Sequence, residues 1–238
     1  ITPHAGEQPV PAYPVPAPRP APTTFPDPRI GSWSWGPLGW RFVYADGGFP
    51  ANTSAVLDGQ IYRFDPSGYI RTGWAYDSGS WYYHAPTGEQ VSGWVRDAFS
   101  WYYLDPASGA MVTGWLLEGG SWYYLTPGSG AMAAGWQRVD GTWYYLDPAS
   151  GAMVTGWLLE GGSWYYLTPG SGAMAAGWQR VDGTWYYLDP ASGAMVTGWL
   201  LEGGSWYYLT PGSGAMATGW QGVDGTWYRF ADSGRWLG

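Results

Sequence analysis

Aromatic rings at regular spacing are the residues of this chain whose types could support chemistry. Trp and Tyr each occur 20 times in 238 residues. Gly-Trp pairs recur along the chain, ending at Trp40, Trp74 and Trp94, and every later pair follows the last by 21 residues. The face of a Trp or Tyr ring attracts a cation by about 0.5–2 kcal/mol per contact, and the same face can stack on a sugar. The rings therefore indicate recognition of a cationic or sugar-like group.

The residues between the rings predict the elements that hold them. In one 21-residue unit, residues 143–146 suit a strand, 147–151 have turn residues, and 152–158 suit a returning strand. Gly161-Gly162, or Asp182-Gly183 in the alternate unit, turns the chain into the next hairpin. We therefore predict an all-β fold without helices, a solenoid of tandem β-hairpins with about nine repeats of about 21 residues.

The same pattern divides the chain into regions. Residues 1–30 are rich in proline, which favours an extended segment acting as a linker or strap. Residues 31–238 form the repeat solenoid, with a longer first repeat over about 35–73, regular repeats over 74–226 and a C-terminal cap over 220–238. Arg63 and Arg229 replace a repeated Tyr and are expected to mark capping repeats. Because the chain begins at Ile1, we expect a processed form or a piece of a larger protein.

Strand alternation predicts how the rings are arranged. It places Trp143 and Tyr145 on one face of the hairpin and Tyr144 on the other. We interpret Tyr144 and its equivalents as core residues, and many other rings can be core as well, because aliphatic residues are scarce. The Gly before each repeated Trp is expected to leave room for close approach of the backbone. Two Trp rings and a Tyr of the next hairpin would form a three-walled box.

Three motifs in succession carry a family resemblance. Thr113-Gly114-Trp115, then Gly-Ser-Trp-Tyr-Tyr-Leu at 120–125, then Gly130-Ala131-Met132, resemble the choline-binding (cell-wall-binding) repeats of Gram-positive surface proteins, autolysins and phage lysins. Glucan-binding repeats are related to them. The resemblance covers about residues 35–238. It implies ligand sites between consecutive hairpins, each built from two Trp and one Tyr, with Met often closing the pocket.

The ligand-binding residues carried over from the resemblance form six sets of three, in which strand alternation selects the second Tyr of each pair. They are Trp74, Trp81 and Tyr103; Trp94, Trp101 and Tyr124; Trp115, Trp122 and Tyr145; Trp136, Trp143 and Tyr166; Trp157, Trp164 and Tyr187; and Trp178, Trp185 and Tyr208. We call the contact between two consecutive hairpins a seam. The seam of Trp199 and Trp206 is expected to lack a complete site because Arg229 replaces its Tyr. The first seam is expected to be incomplete because Ile61 replaces a Trp.

The implied partner is choline or phosphocholine on teichoic acid, bound by a secreted protein of the cell wall or cell surface. A chain without Lys and with one Asn indicates a GC-rich genome, so another wall glycan stays open as the ligand. Two alternatives remain: a polysaccharide-binding (glucan-type) array, and a structural repeat protein that assembles into a homo-oligomer or fibre.

Composition argues against other classes. The net charge of −8, with ten scattered basic residues, disfavours nucleic acid. No apolar run is long enough for membrane insertion. The chain has no Cys and two His, and its carboxylates fall mostly in turns, so we expect no catalytic residues, no metal site and no cofactor. The chain would then be a binding module, or the binding part of a larger enzyme such as a lysin.

Overall fold

Short antiparallel hairpins are the building unit of the whole described chain. The computed structural model describes residues 31–238, and the predicted proline-rich segment at 1–30 lies outside the described residues. Twenty strands pair into ten two-stranded antiparallel sheets. The chain divides into two compact units, the first ending at Ala133 and the second spanning 134–238. Each unit contains five hairpins.

The first unit contains ten strands, each paired with its neighbour in sequence. They are β1 (Ser32–Gly36), β2 (Gly39–Val43), β3 (Ser54–Leu57), β4 (Gln60–Arg63), β5 (Gly73–Asp77), β6 (Ser80–His84), β7 (Gly93–Asp97), β8 (Ser100–Leu104), β9 (Gly114–Glu118) and β10 (Ser121–Leu125). The second unit repeats the arrangement in β11 (Gly135–Val139), β12 (Thr142–Leu146), β13 (Gly156–Glu160), β14 (Ser163–Leu167), β15 (Gly177–Val181), β16 (Thr184–Leu188), β17 (Gly198–Glu202), β18 (Ser205–Leu209), β19 (Gly219–Val223) and β20 (Thr226–Phe230).

Two-residue turns fix the register of each hairpin. In β11–β12, Asp140 and Gly141 both have positive φ, 49° and 84°, as a type I′ turn requires. The turn sets Trp136 opposite Tyr145 and Arg138 opposite Trp143. The two turn residues therefore decide which aromatic residues lie opposite one another in the hairpin.

Within each unit, the segment after a hairpin ties that hairpin to the one before it. The Met174 amide, after β14, donates to the Trp143 carbonyl on β12 at 2.8 Å. The Met195 amide donates to Trp164 in the same way at 2.7 Å. These bonds satisfy backbone groups that an isolated two-stranded sheet would leave unpaired.

Aliphatic side chains occupy one repeated core position. The last residue of the second strand is fully buried in six successive hairpins, as Leu104, Leu125, Leu146, Leu167, Leu188 and Leu209. Five methionines of the connecting segments each pack on a glycine of the next segment; a Cβ at Gly172 would overlap the Met153 sulfur. A narrow core thus continues through each unit.

The glycine of the Gly-Trp pair has a different role from the predicted one. A Cβ built on Gly135 or Gly156 meets nothing within 4 Å, so the expectation of close backbone approach is wrong. Their φ angles are 70° and 82°, a left-handed conformation that an L side chain adopts at a cost. Glycine is needed there to turn the chain into the strand.

The predicted all-β solenoid of tandem hairpins is confirmed, with ten hairpins in place of about nine. The additional hairpin, β3–β4, was not counted because Ser54 stands where other hairpins have the Trp of the Gly-Trp pair. Gly39-Trp40 begins the second strand of its hairpin, whereas the later Gly-Trp pairs begin a first strand. Trp40 therefore occupies the register position of Trp81. Arg63 does not mark an end, since β1–β2 precedes it. Within 31–238, no helix could cross a membrane.

Candidate functional site

Three aromatic rings converge where one hairpin packs on the next. Trp136 and Trp143 come from β11–β12, and Tyr165 comes from β14 of the following hairpin. The Trp136 ring centroid lies 6.4 Å from that of Trp143, with the planes at 90°, and 4.9 Å from that of Tyr165, at 67°. Trp143 remains 40% exposed. Trp136 is therefore the base, and Trp143 and Tyr165 the walls, of an open arrangement that we call an aromatic box.

Six such boxes lie inside the two units, and all share the edge-to-face contact between the base Trp and the Tyr of the next hairpin. With centroid distances of 4.8–4.9 Å for that contact, they are Trp74, Trp81 and Tyr102; Trp94, Trp101 and Tyr123; Trp136, Trp143 and Tyr165; Trp157, Trp164 and Tyr186; Trp178, Trp185 and Tyr207; and Trp199, Trp206 and Tyr228.

A residue of the connecting segment lies beside the box in at least two hairpins. In the last box, Trp236 stands at the methionine position, because its amide donates to the Trp206 carbonyl as Met174 donates to Trp143. The Trp236 ring lies 6.0 Å from that of Trp199, the base of the box. Met111, at the same position in an earlier hairpin, packs against the same buried cluster as Trp74 and Tyr102.

The second tyrosine of each pair lies at a different seam from the one predicted. Tyr103, Tyr124, Tyr145, Tyr166, Tyr187 and Tyr208 each pack on the Trp of their own hairpin, with centroids 5.0–5.2 Å apart. Alternation was right within a hairpin, since Trp143 and Tyr145 both lie on the face of Trp136. The opposite face looks back to the preceding hairpin, so the first tyrosine supplies the wall there.

The first tyrosines, which we interpreted as core residues, also form the walls of the boxes, and the wall residue Tyr123 is buried at 6% exposed. Tyr165 and Tyr186 are half-buried, whereas Tyr145 and Tyr187 are 5% exposed. A hairpin in a stack has two covered faces, and the ring on each face meets a different neighbour.

Two further seams differ from expectation or extend it. The seam of Trp199 and Trp206 is complete, because Tyr228 and not position 229 provides its wall. Trp115 and Trp122, in the last hairpin of the first unit, have ring centroids 6.3 Å apart at 89°, as in the boxes. All the predicted Trp residues therefore belong to base-and-wall pairs of the same geometry.

Carboxylates stand beside several boxes and were not predicted. Asp97, half-buried at the end of β7, accepts a hydrogen bond from Trp74 Nε1 at 3.0 Å. Burial, and then the charge of Asp97, raise the pKa of Tyr83 above its ordinary value. Burial, and then the hydrogen bond and charge of Glu160, similarly raise the pKa of Tyr145. Both tyrosines therefore stay neutral beside the carboxylates.

The last residue of a hairpin's first strand, which is Asp97 in β7, alternates in charge along the second unit. Glu160 and Glu202 occupy it in two hairpins, and Val181 and Val223 in the two that follow them. A positive charge also lies beside the Trp136 box, since the Arg138 guanidinium carbon is 6.0 Å from the Trp143 ring centroid. The Trp74 box has Tyr76 in the position of Arg138, so its carboxylate has no such counter-charge on that strand.

The last hairpin ends the series with uncovered rings. Trp220 is 64% and Trp227 70% exposed, and the Arg229 guanidinium lies 5.9 Å from the Trp220 ring centroid. The arginine thus lies over an exposed ring. Among residues 31–238, no group of three or more His, Cys, Asp or Glu is placed to hold a metal ion.

Comparison with known sequences and structures gives the class of this arrangement. The profile of the choline-binding repeat matches residues 71–113, 91–135, 133–177 and 175–219, and that of a putative cell wall binding repeat matches 218–235. No curated protein matches the chain.

Solved structures from Streptococcus pneumoniae are similar over most of the chain. CbpJ is 40% identical, over 83% of this chain and 75% of CbpJ, with a TM-score of 0.74. Choline-binding protein F is 38% identical, over 84% of this chain and 75% of that one, with a TM-score of 0.70. The autolysin LytC is 31% identical, over 87% of this chain but 46% of LytC, with a TM-score of 0.66.

Tandem hairpins with aromatic boxes at their seams are thus the architecture of a binding-repeat module. The chain belongs to the choline-binding repeat family. Its repeats are those of cell-wall-associated or surface proteins.

Proposed function

We propose that this chain is a non-catalytic anchor that holds the choline groups of a cell-wall polymer in its aromatic boxes. The observation that carries the proposal is the repeated geometry of base and walls, three rings meeting nearly at right angles around an open corner. A quaternary ammonium is a broad, weakly hydrated cation, and ring faces on several sides attract it without needing a directed hydrogen bond.

The exposure of the wall rings supports binding over packing. Trp143, Trp164 and Trp185 remain 37–40% exposed although each contacts a buried or half-buried ring. Large apolar side chains left in contiguous exposed rows usually mark an interaction surface. A core role alone would not require an open wall at every seam.

The charge beside the boxes supports a cation as the ligand. Asp97 lies at the Trp74 box, and Glu160 at the Trp136 box. A carboxylate near a ring box adds Coulomb attraction for an ammonium and opposes an anion. The net charge of −8 acts in the same direction at longer range.

Repetition supports an anchoring role. Each box offers few contacts, and binding at one box raises the effective concentration of the next choline group on the same polymer. Weak single sites can then give firm attachment to a wall while the polymer still exchanges at each box. The similarity to part of LytC fits a module that also serves as the attachment region of a larger wall-acting enzyme.

Choline and its neutral isostere provide the test. Choline and 3,3-dimethylbutanol have the same shape, but only choline carries a charge. Titration of the full chain followed by Trp fluorescence should give saturable quenching with choline and a much weaker response with the alcohol. Equal responses would mean that the boxes recognise only an apolar group. No response to choline, together with retention on insoluble glucan or peptidoglycan, would replace the proposal with a glycan-binding array.

A further inference from the structure

One seam in the first unit has lost the box and gained a polar cleft. It lies between β3–β4 and β5–β6, where the register places Ser54 at the position of Trp74 and Ile61 at that of Trp81. Gln90 takes the methionine position, since its amide donates to the Ile61 carbonyl as Met111 donates to Trp81. The lost ring volume leaves a cleft of about 240 Å³.

The cleft retains one aromatic wall. Tyr82, the first tyrosine of its pair, lines it at the position that Tyr165 holds in the Trp136 box. Ser54 and Ile61 line the sides where two Trp rings would otherwise stand. A single ring face is a poor cage for a quaternary ammonium, but it is sufficient for stacking on a flat apolar surface.

Charged groups at this seam form a balanced pair. Arg63, at the second-tyrosine position, donates a charge-assisted hydrogen bond from its guanidinium to the Asp77 carboxylate. The two side chains are 20% and 35% exposed and both line the cleft. Because the pair has no net charge, it selects neither a cation nor an anion, while its donors and acceptor remain able to bind hydroxyl groups.

A buried histidine adds a further polar group. His84 is 2% exposed at a position that is leucine in the next six hairpins, and it lines the cleft. Its Nδ1 lies 3.2 Å from the Gly88 carbonyl oxygen, which can only accept, so Nδ1 carries the proton. In the neutral ring Nε2 is then an acceptor. Gln90 Nε2 donates to the Ser108 carbonyl at 3.2 Å and leaves its amide oxygen as another acceptor.

We propose that this cleft binds one pyranose ring of a glycan. A pyranose has an apolar face suited to Tyr82 and a rim of hydroxyls that both donate and accept, matching Arg63, Asp77 and Gln90. The volume is below the range of about 300–1,000 Å³ typical of drug-sized ligands, which fits a single ring. The chain then holds a sugar at this seam, independently of the cations at its boxes.

Histidine labelling gives a local reporter for the test. The chain contains two His, and His84 is the one in the cleft. We expect N-acetylglucosamine or glucose at millimolar concentration to shift the ring signals of His84 saturably in NMR spectra of the ¹⁵N-histidine-labelled full chain. The signals of His4 should stay unchanged, and choline should not reproduce the shift.

Two variants locate the binding site. Ser54→Trp restores the lost ring and should abolish the sugar response by filling the cleft. Gln90→Met, which restores the repeated methionine, should weaken sugar binding by about fivefold, the value of one hydrogen bond. Choline-induced Trp quenching in the same samples reports that each variant is folded and that the boxes are intact.

Three outcomes would overturn the sugar site. These are no His84 shift with either sugar, a shift with choline alone, and a sugar shift that persists unchanged in both variants. If choline does not quench the Trp fluorescence of the wild-type chain but the sugar still shifts the His84 signals, the proposed function is refuted and the sugar site is retained.

Discussion

Tyr228 and Arg229 are neighbours on β20 with opposite expected roles in binding. The ring of Tyr228 meets Trp199 at 4.9 Å and 78°, closing the last box, whereas Arg229 faces Trp220 beyond it. Tyr228→Leu keeps apolar packing volume and removes the ring face. Loss of one cation–π wall costs about 0.5–2 kcal/mol, which weakens choline at that box by about 2- to 30-fold.

The change is measurable as a loss of stabilisation by choline. At a choline concentration 100 times the dissociation constant, one site raises the free energy of unfolding by about 2.7 kcal/mol, and a tenfold weaker site raises it by about 1.4. Urea unfolding with and without choline should therefore show an increment smaller by about 1.3 kcal/mol in Tyr228→Leu. Comparing increments, and not absolute stabilities, cancels any packing cost of the substitution itself.

Matched variants on the same strand make the result decisive. Tyr228→Phe retains the ring and should keep the wild-type increment. Arg229→Ala should also keep it, because Arg229 lies over Trp220 and does not form a wall of the Trp199 box. A normal increment in Tyr228→Leu with a reduced one in Arg229→Ala would refute the assignment of the wall to the first tyrosine.

Further predictions concern charge, backbone and pH. Asp97→Asn preserves an acceptor for Trp74 Nε1 but removes the charge, so choline affinity at that box should fall by about two- to fivefold in low salt; a change that does not shrink in high salt would rule out the Coulomb explanation. Gly156→Ala forces an L side chain to φ 82° and should cost about 1–2 kcal/mol in urea unfolding, whereas an unchanged stability would show that the strand tolerates another φ. Burial lowers the pKa of His84 below its ordinary 6.5, so the native state binds fewer protons than the unfolded one. Its contribution is complete above a pH of about 6.5 and is lost as pH falls through the lower native pKa. His84→Leu should therefore lose less stability than wild type between neutral and mildly acidic pH, and parallel pH profiles would contradict this.

The repeat architecture could be predicted because local chemistry and periodicity agree at every hairpin. Asp140-Gly141 favours the tight turn, and the 21-residue period places a hairpin of the same pattern next to each one. The β3–β4 hairpin escaped prediction because the Gly-Trp signal is absent there, although its turn, Asp58-Gly59, has positive φ angles like those of Asp140-Gly141. Turn residues were thus a better guide than rings.

The sequence predicted the arrangement of rings in the candidate site except for which of two adjacent tyrosines forms the wall. Two Trp per box followed from the spacing, but the choice between Tyr165 and Tyr166 depends on which face of a hairpin looks backward along the stack. That direction is set by tertiary packing and not by strand alternation. The carboxylates could not be predicted for a similar reason: Asp97 is ordinary turn-flanking chemistry in the sequence, and only stacking brings it to Trp74.

A crystal structure of the full chain soaked with choline would test the central claim most directly. The account predicts an ammonium group seated on Trp136 between Trp143 and Tyr165, repeated at the equivalent boxes and absent from the cleft beside Ser54. Choline found elsewhere on the surface, or boxes that stay unoccupied at saturating choline, would contradict it.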